Sequence, residues 1–487
     1  MTSPGPATPP DLNRPMSTFN QINEKIGRYR WTICALVFFA TTINYLDRNV
    51  LGLLKTTLSK NGVFGVDPAN QEINYSTVVI CFQLAYALGM LAAGRIIDKV
   101  GTKSGYAYSL IGWSLAAIGH AFGHHTWSFG LWRALLGVTE AGNFPAANKT
   151  IAEWFPKKER AFATGLYNSG ANVGAIVAPL CVPYIASAWG WEWAFILTGA
   201  VGLLWLVFWY TTYASPADKL KTGHLQQAEY DFIHSDTDEQ AAPQTPGATG
   251  AKVTWGKLLG FRQTWAFFFG KFLTDPIWWF FLFWLPAFLN GENARKIAAF
   301  KAANPGFTGL DTAIPGIISW PFAVAVVYTV STFGSIFGGW LPKRLINGGM
   351  DANKARKSAM FIFALFPLTV LAASRLGEIN TWLAVATISI ACAAHQAWSA
   401  NIFTTVSDMF PKKAVASVTG IGGMAGALGG ILIARAAGVL LAHYTALGKV
   451  EVGYGIMFVV CGSAYLVAWI LMHLLVPKLK QVQLDEA

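Results

Sequence analysis

The chain has 487 residues, 54% of them hydrophobic and only 13% charged, with a formal net charge of +11. A soluble domain carries about 25% charged residues, so a soluble enzyme or binding module is excluded and a polytopic membrane protein is expected. The basic excess does not call for nucleic acid, because the lysines and arginines lie where a membrane protein needs them.

Residues 1–30 form an N-terminal tail rich in Pro, Ser and Asn, without the apolar core of a signal peptide. The first apolar segment, 31–54, contains Asn44-Tyr45-Leu46-Asp47-Arg48. An acid and a base inside a span cost about 2.5–3.5 kcal/mol each on insertion. They therefore face protein or a water-filled cavity, which places Asp47 and Arg48 at the centre of a transport pathway. Further apolar segments, each near the length of about 20 residues that a bilayer requires, cover 75–97, 104–123, 127–151, 161–187 and 191–213, then 263–289, 315–341, 356–375, 381–407, 414–443 and 453–476. The polar stretch between the sixth and seventh has the composition of a flexible linker. The chain thus divides into a tail (1–30), a six-helix bundle (31–213), a cytoplasmic linker (214–262), a second six-helix bundle (263–476) and a tail (477–487). Cys34, Cys81, Cys181, Cys392 and Cys461 all fall in spans without CxxC or metal-ligand spacing and read as packing residues. No metal and no cofactor are expected.

Charge sets the orientation. Arg28, Arg30, Lys99, Lys103, Lys157, Lys158, Arg160, the linker lysines, Lys343, Arg344, Lys412 and Lys413 fall on one side. The positive-inside rule places that side, with both termini, in the cytoplasm; Arg295, Lys296 and Lys301 lie opposite as an exception. The halves also repeat. Glu153-Trp154-Phe155-Pro156-Lys157-Lys158 ends the fourth span and Asp408-Met409-Phe410-Pro411-Lys412-Lys413 ends the tenth, aligned by an offset of 255 residues that also matches the Thr-Gly pairs following them. Two parallel six-helix repeats are expected.

Between the second and third spans lies Gly94-Arg95-Ile96-Ile97-Asp98-Lys99-Val100-Gly101-Thr102-Lys103. Its Gly94, Asp98, Gly101 and Lys103 read either as a gating motif that bonds neighbouring helix ends or as a polar turn. The matching Gly338-Gly339-Trp340-Leu341-Pro342-Lys343-Arg344 keeps glycines and bases but no acid. The GxxxDxxGxK pattern, the twelve spans and the repeat resemble the major facilitator superfamily. The strings Thr42-Ile43-Asn44-Tyr45-Leu46-Asp47-Arg48, Glu140-Ala141-Gly142-Asn143-Phe144-Pro145 and Lys271-Phe272-Leu273-Thr274-Asp275-Pro276-Ile277-Trp278-Trp279 resemble its anion:cation symporter family. With His395-Gln396-Ala397-Trp398 added, they resemble the hexuronate-transporter branch. The resemblance runs from Arg30 to about Lys478. It implies an all-α polytopic membrane fold of twelve transmembrane helices in two pseudo-symmetric six-helix bundles. It also implies that acids at Asp47 and Glu140 are proton-coupling sites and that Arg48 binds the substrate carboxylate.

Arg133, Gly137 and Glu140 share one helical face, with Arg133 and Glu140 about 10 Å apart along the axis. They read as a structural ion pair or as a protonatable acid with an exchangeable partner, because low dielectric favours a neutral carboxyl and a nearby guanidinium favours a charged one. Guanidinium binds carboxylate through two hydrogen bonds, which suits Arg48 to the substrate anion and leaves Arg133 to Glu140. The repeat places Glu140 opposite His395. His395 and Trp398, at i and i+3, read as a hydrogen-bonding edge and a flat face for a sugar ring, or as a packed histidine beside a core aromatic. Tyr45, Gln83, Tyr86, Asn143, Asn168 and Asn172 complete the candidate substrate contacts. Lys271 and Asp275, at i and i+4 in the seventh span, form a charge pair that is structural or part of the site. The Gly-rich stretch 420–426 follows no strand and no GxxxxGK[ST] string is present, which disfavours a nucleotide-driven pump.

Taken with the resemblance, these residues imply a monomeric proton-coupled symporter of a bacterial inner membrane, importing a sugar acid anion such as glucuronate or galacturonate by rocking of two bundles in the bilayer. The nearer alternative is an exchanger or uniporter for an aldonate or aldarate such as galactonate. The more distant one is a polytopic membrane enzyme or sensor using Asp47, Glu140 and His395 as acid–base groups.

Overall fold

The computed structural model describes residues 27–235, 255–311 and 314–483, apart from a few side chains that include Asp98, Lys157, Lys158, Lys412 and Lys413. In chain order the helices are α1 Tyr29–Lys60, α2 Pro68–Val100, α3 Thr102–Gly119, α4 Thr126–Glu140, α5 Asn143–Trp154, α6 Lys157–Trp189 and α7 Trp191–Thr212. The short α8 Pro216–Lys221, α9 Gln227–Ile233 and α10 Trp255–Leu259 lie in the linker. The second half contains α11 Arg262–Ala303, α12 Trp320–Asn347, α13 Ala352–Leu365, α14 Ala373–Ile379, α15 Thr381–Met409, α16 Lys412–Ala446 and α17 Val450–Leu475.

Twelve crossing positions result, since α4–α5 together make the fourth and α13–α14, joined by a 3-10 turn Phe366–Ala372, make the ninth. Among the described residues nine helical segments are long and apolar enough to cross a bilayer. The other three positions are α1, which carries Asp47 and Arg48, α3, which has 18 residues, and the broken α4–α5. The sequence reads 127–151 as one continuous helix. The structure interrupts it at Ala141–Gly142, three residues ahead of Pro145, whose ring and missing N–H oppose a continuous helix through this point. The seventh helix also runs on to Ala303, well past the expected 289.

Helix starts follow local chemistry. Asp67 accepts hydrogen bonds from the amides of Ala69 and Asn70 ahead of Pro68 at the start of α2. Gly101, with φ +85°, makes the turn from α2 into α3 that the β-carbon of another residue would strain. The repeat is visible in detail: Pro156 and Pro411 precede α6 and α16 with nearly identical backbone angles, φ −63° and ψ 154° against φ −64° and ψ 152°. The acids three residues earlier each pin the start of a neighbouring hairpin. Glu153 accepts from the Thr102 and Tyr213 hydroxyls, each at 2.5 Å, and Asp408 pairs with Arg356 at 2.7 Å.

On the opposite side, two of the three bases that break the expected charge bias have carboxylate partners, and Lys296 donates to the Thr381 hydroxyl at 3.0 Å. Arg295 pairs with Glu292 and Glu451, and Lys301 with Asp311. At the linker side, Glu229 of α9 accepts hydrogen bonds from the amides of Tyr29 and Arg30, at 3.2 and 3.0 Å, and pairs with the Arg30 guanidinium at 3.1 Å. A linker carboxylate thus caps the positive end of α1. Glu229→Ala is expected to cost about 3 kcal/mol, the lower end for breaking a buried ion pair, because Arg30 keeps Glu159. Thermal unfolding in detergent measures that loss.

The halves meet through α1, α2 and α6 on one side and α11, α12 and α16 on the other. Their contact is uneven. Away from the linker, the Tyr75 hydroxyl donates to the Phe283 carbonyl at 2.7 Å, and Tyr75 packs edge-on against Trp284 at 5.2 Å. Gly52 has the backbone of Leu282 and Phe283 against it, and Gly438 has Ser76. The antiparallel α2 and α16 pair Ser76 with Gly438 and Gln83 with Gly430, a register that continues to Gly94 and Gly420. Neither of those two glycines has an atom of another helix within 4 Å of where its β-carbon would stand. The seam is packed tightly far from the linker and leaves the β-carbon positions of Gly94 and Gly420 open near it. Gly52→Val, whose added atoms meet the Leu282 carbonyl, is expected to wedge the closed end open. The readout is several-fold faster alkylation of a cysteine placed at Ser76 in a background without the native cysteines.

Candidate functional site

The polar string of α1 turns inward. Asn44, Asp47, Arg48 and Asn49 are all buried. α4 comes close enough to meet them because Gly137 has no side chain; a β-carbon there would lie 2.5 Å from the Phe82 carbonyl of α2. That approach brings Arg133 and Glu140, on the same face as Gly137, against α1 and α2.

The Arg48 guanidinium binds Glu140 through Nε at 2.9 Å and a terminal nitrogen at 2.7 Å, and also donates to Asn44 Oδ1 at 3.3 Å. Four rings surround it, with centroids at 4.7 Å (Tyr45), 4.8 Å (Tyr86), 5.3 Å (Phe82) and 5.6 Å (Trp279). A desolvated cation is strongly favoured among aromatic faces, and the side chain is only 3% exposed. Glu140 is therefore the direct partner of Arg48. It makes no ion pair with Arg133, against the expectation from spacing along one helix: the angular position of α1 decides which base reaches the acid. Arg133 donates to the Arg48 carbonyl at 3.3 Å, while its Nε and second terminal nitrogen have no partner. Asp47 has none for either oxygen, although Thr198 lies beside it and the charges of Glu140 and Arg133 act on it. Four buried charges sum to zero with unused donors and acceptors. Such capacity is costly to leave unmet, and it leaves room for these groups to change partners.

The other half contributes a second cluster. His395 Nδ1 is 2.7 Å from the Tyr465 hydroxyl, and its ring stacks on Trp278 at 5.2 Å. Trp398 is fully buried and packs edge-on to Tyr465 at 5.8 Å. The flat platform expected from Trp398 is therefore sealed in the core, because the bulky Tyr465 covers that face; the ring beside His395 is Trp278. Lys271 and Asp275 pair at 2.6 Å.

Of the remaining candidates, Tyr45 and Tyr86 stand at Arg48. Gln83 is buried at the seam near Gly430 and Trp279, with both side-chain polar atoms unpartnered. Asn143 is instead bonded within the first bundle, accepting from Tyr106 at 2.8 Å and donating to Thr41 at 3.5 Å, because the break at Ala141–Gly142 turns it toward α3. Asn168 is exposed and Asn172 half-buried, and the structure brings neither to Arg48, since α6 presents Gly170 and Gly174 to α1. In the turn motif, Gly94 meets open space and Lys103 donates to the Tyr210 carbonyl at 3.1 Å, while the Asp98 side chain lies outside the described residues. Phe82, Trp279, Trp278 and Tyr465 were missed as site neighbours. The Trp pair one turn beyond Asp275 was the available signal for two of them.

The comparisons agree with this architecture. The family model of the Major Facilitator Superfamily matches residues 37–434. The hexuronate transporter of Escherichia coli (strain K12) is 30% identical over 421 residues, covering 85% of this chain and 88% of that one. The D-galactonate transporter of Escherichia coli O6:H1 is 30% identical over 431 residues, covering 86% and 91%. Among solved structures, the inward-open xylose transporter XylE from E. coli superposes with a TM-score of 0.67 at 14% identity, covering 94% of this chain and 98% of that one, which speaks for the fold. Twelve helices in two pseudo-symmetric bundles and near-full-length relatives that are carriers agree, and the chain belongs to the Major Facilitator Superfamily as a multi-pass membrane transporter, not an enzyme.

Proposed function

We propose that this protein is a proton-coupled symporter that carries a sugar acid monoanion, a hexuronate such as glucuronate or galacturonate, into a bacterial cell across the inner membrane. It works as a monomer with both termini and the linker in the cytoplasm. The carrying observation is the Arg48–Glu140 pair inside an aromatic cage, next to an Asp47 carboxyl without a partner. Relatives named for hexuronate and galactonate transport support the substrate class.

In this reading Glu140 and the substrate carboxylate compete for one guanidinium. A proton on Glu140 weakens its hold on Arg48, and the freed guanidinium accepts the carboxylate through two hydrogen bonds. Trp279 or Tyr86 swings aside to admit it. Asp47, beside Arg133, takes a second proton. Lys, Asp, His and Gln side chains of the seam and the second bundle meet the hydroxyls, and the two bundles then rock about this midplane site, opening one end as the other closes.

The test is uptake of labelled glucuronate by the purified protein in liposomes, with and without an inward proton gradient. Accumulation above the external concentration only when the gradient is present supports symport. Equal uptake in both conditions, with substrate recovered unchanged, would establish a uniporter or exchanger instead.

A further inference from the structure

The seventh helix carries a charged feature that the Arg48 cluster does not use. Lys271 and Asp275 lie on the strip of α11 that also holds Trp278 and Trp279, because these positions fall within about 100° of one another around the helix. Trp279 faces the Arg48 guanidinium at 5.6 Å and Trp278 stacks on His395. Asp275 therefore sits one turn, about 6 Å, from Trp279 toward the linker.

Stabilising the helix does not explain the pair. Lys ahead of Asp is the weaker order for an i, i+4 ion pair. The Asp275 carboxylate also occupies room that only glycine leaves, since a β-carbon on Gly426 of α16 would come within 2.4 Å of its Oδ2. Asp275 retains 21% side-chain exposure against 7% for Lys271. Because α1, α12, α15, α16 and α17 all pack on α11, that exposed surface looks into the space between the bundles, not into lipid, where a charge is costly.

We propose that Lys271–Asp275 is the second pole of the substrate site and sets selectivity for monoacids over diacids, an inference that rests on the sugar-acid reading above. With Arg48 taking the carboxylate at one end, the neutral pair offers an ammonium donor and a carboxylate acceptor to the hydroxyls at the other. A uronate or aldonate satisfies both. An aldarate brings a second carboxylate against Asp275, and that like-charge contact rejects it; Asp275 is the repulsive element that specificity requires.

The experiment is competition of labelled glucuronate uptake in proteoliposomes by galacturonate and by galactarate, which differ in charge at one end. Asp275→Asn, which leaves Lys271 unopposed, is expected to improve galactarate relative to galacturonate about tenfold. Lys271→Gln is expected to move the ratio the other way, and the double variant to return it to the wild-type value. A ratio that moves less than twofold in Asp275→Asn overturns the proposal. Where that variant does not fold, an unmoved ratio in Lys271→Gln does the same. Wild-type protein that takes up no labelled glucuronate, galacturonate or galactarate would instead overturn the sugar-acid reading, so the two failures are distinguishable.

Discussion

Arg48→Lys is expected to lower sugar-acid uptake at least a hundredfold while leaving a folded protein. The substitution keeps one positive charge near Glu140 but removes the planar fork that binds a carboxylate through two parallel hydrogen bonds. Hydrogen bonds to charged groups contribute about 1.5–3 kcal/mol each. Losing the geometry for one or both therefore costs roughly 3 kcal/mol, or about a hundredfold in affinity. An ammonium also fits the cage of Tyr45, Phe82, Tyr86 and Trp279 less well than a flat guanidinium lying against several rings. Arg48→Ala is less informative. It strands Glu140 without its ion-pair partner in a fully buried position, a loss of about 3–5 kcal/mol that can unfold the chain before binding is tested. Uptake normalised to monodisperse protein, with protection from thermal unfolding by glucuronate, measures the Lys variant. Activity within threefold of wild type would remove Arg48 from the substrate site.

Glu140→Gln and Asp47→Asn are each expected to abolish uphill accumulation while preserving some counterflow exchange. One proton carried down a gradient of one pH unit is worth about 1.4 kcal/mol, or tenfold accumulation. The accumulation ratio should therefore fall from about ten for one coupled proton, or about a hundred for two, to one in either variant. A monoanion moving with one proton is electroneutral; a second proton would add about 2.3 kcal/mol per 100 mV of membrane potential. Stimulation of uptake by an imposed potential therefore counts the protons. The two acids differ in surroundings, and the variants should differ in stability. Glu140→Gln breaks an ion pair at 2.7 Å, whereas Asp47→Asn removes no hydrogen bond and should melt closer to wild type. Normal accumulation in both variants would refute the coupling assignment.

The part of the site legible in sequence was the part that insertion energetics forces into view. Asp47, Arg48, Arg133 and Glu140 stand out because a charge inside an apolar span must find protein or water, and the structure gathers all four in one buried cluster. Helical periodicity also put Arg133, Gly137 and Glu140 on one face. Periodicity within one helix says nothing of the neighbour's rotation, and so it paired Glu140 with the wrong arginine. Trp398 failed for the same reason: sharing a face with His395 was right, but only the position of Tyr465 on α17 shows that this face is covered. Asn143, a candidate substrate contact, is bonded instead to Tyr106 and Thr41 because the fourth span breaks at Ala141–Gly142, a break that Pro145 favours.

What the sequence by itself determined is the membrane class, the order of the spans and the twofold repeat, because apolar length, linker composition and the offset between Glu153 and Asp408 are properties of the chain alone. What only the tertiary structure decided is which charges meet, which aromatic rings enclose Arg48, and at which end the bundles touch. The rotation of each helix about its axis is set by packing against its neighbours. Small residues such as Gly137 and Gly52, whose role appears only when another backbone lies against them, allow that packing.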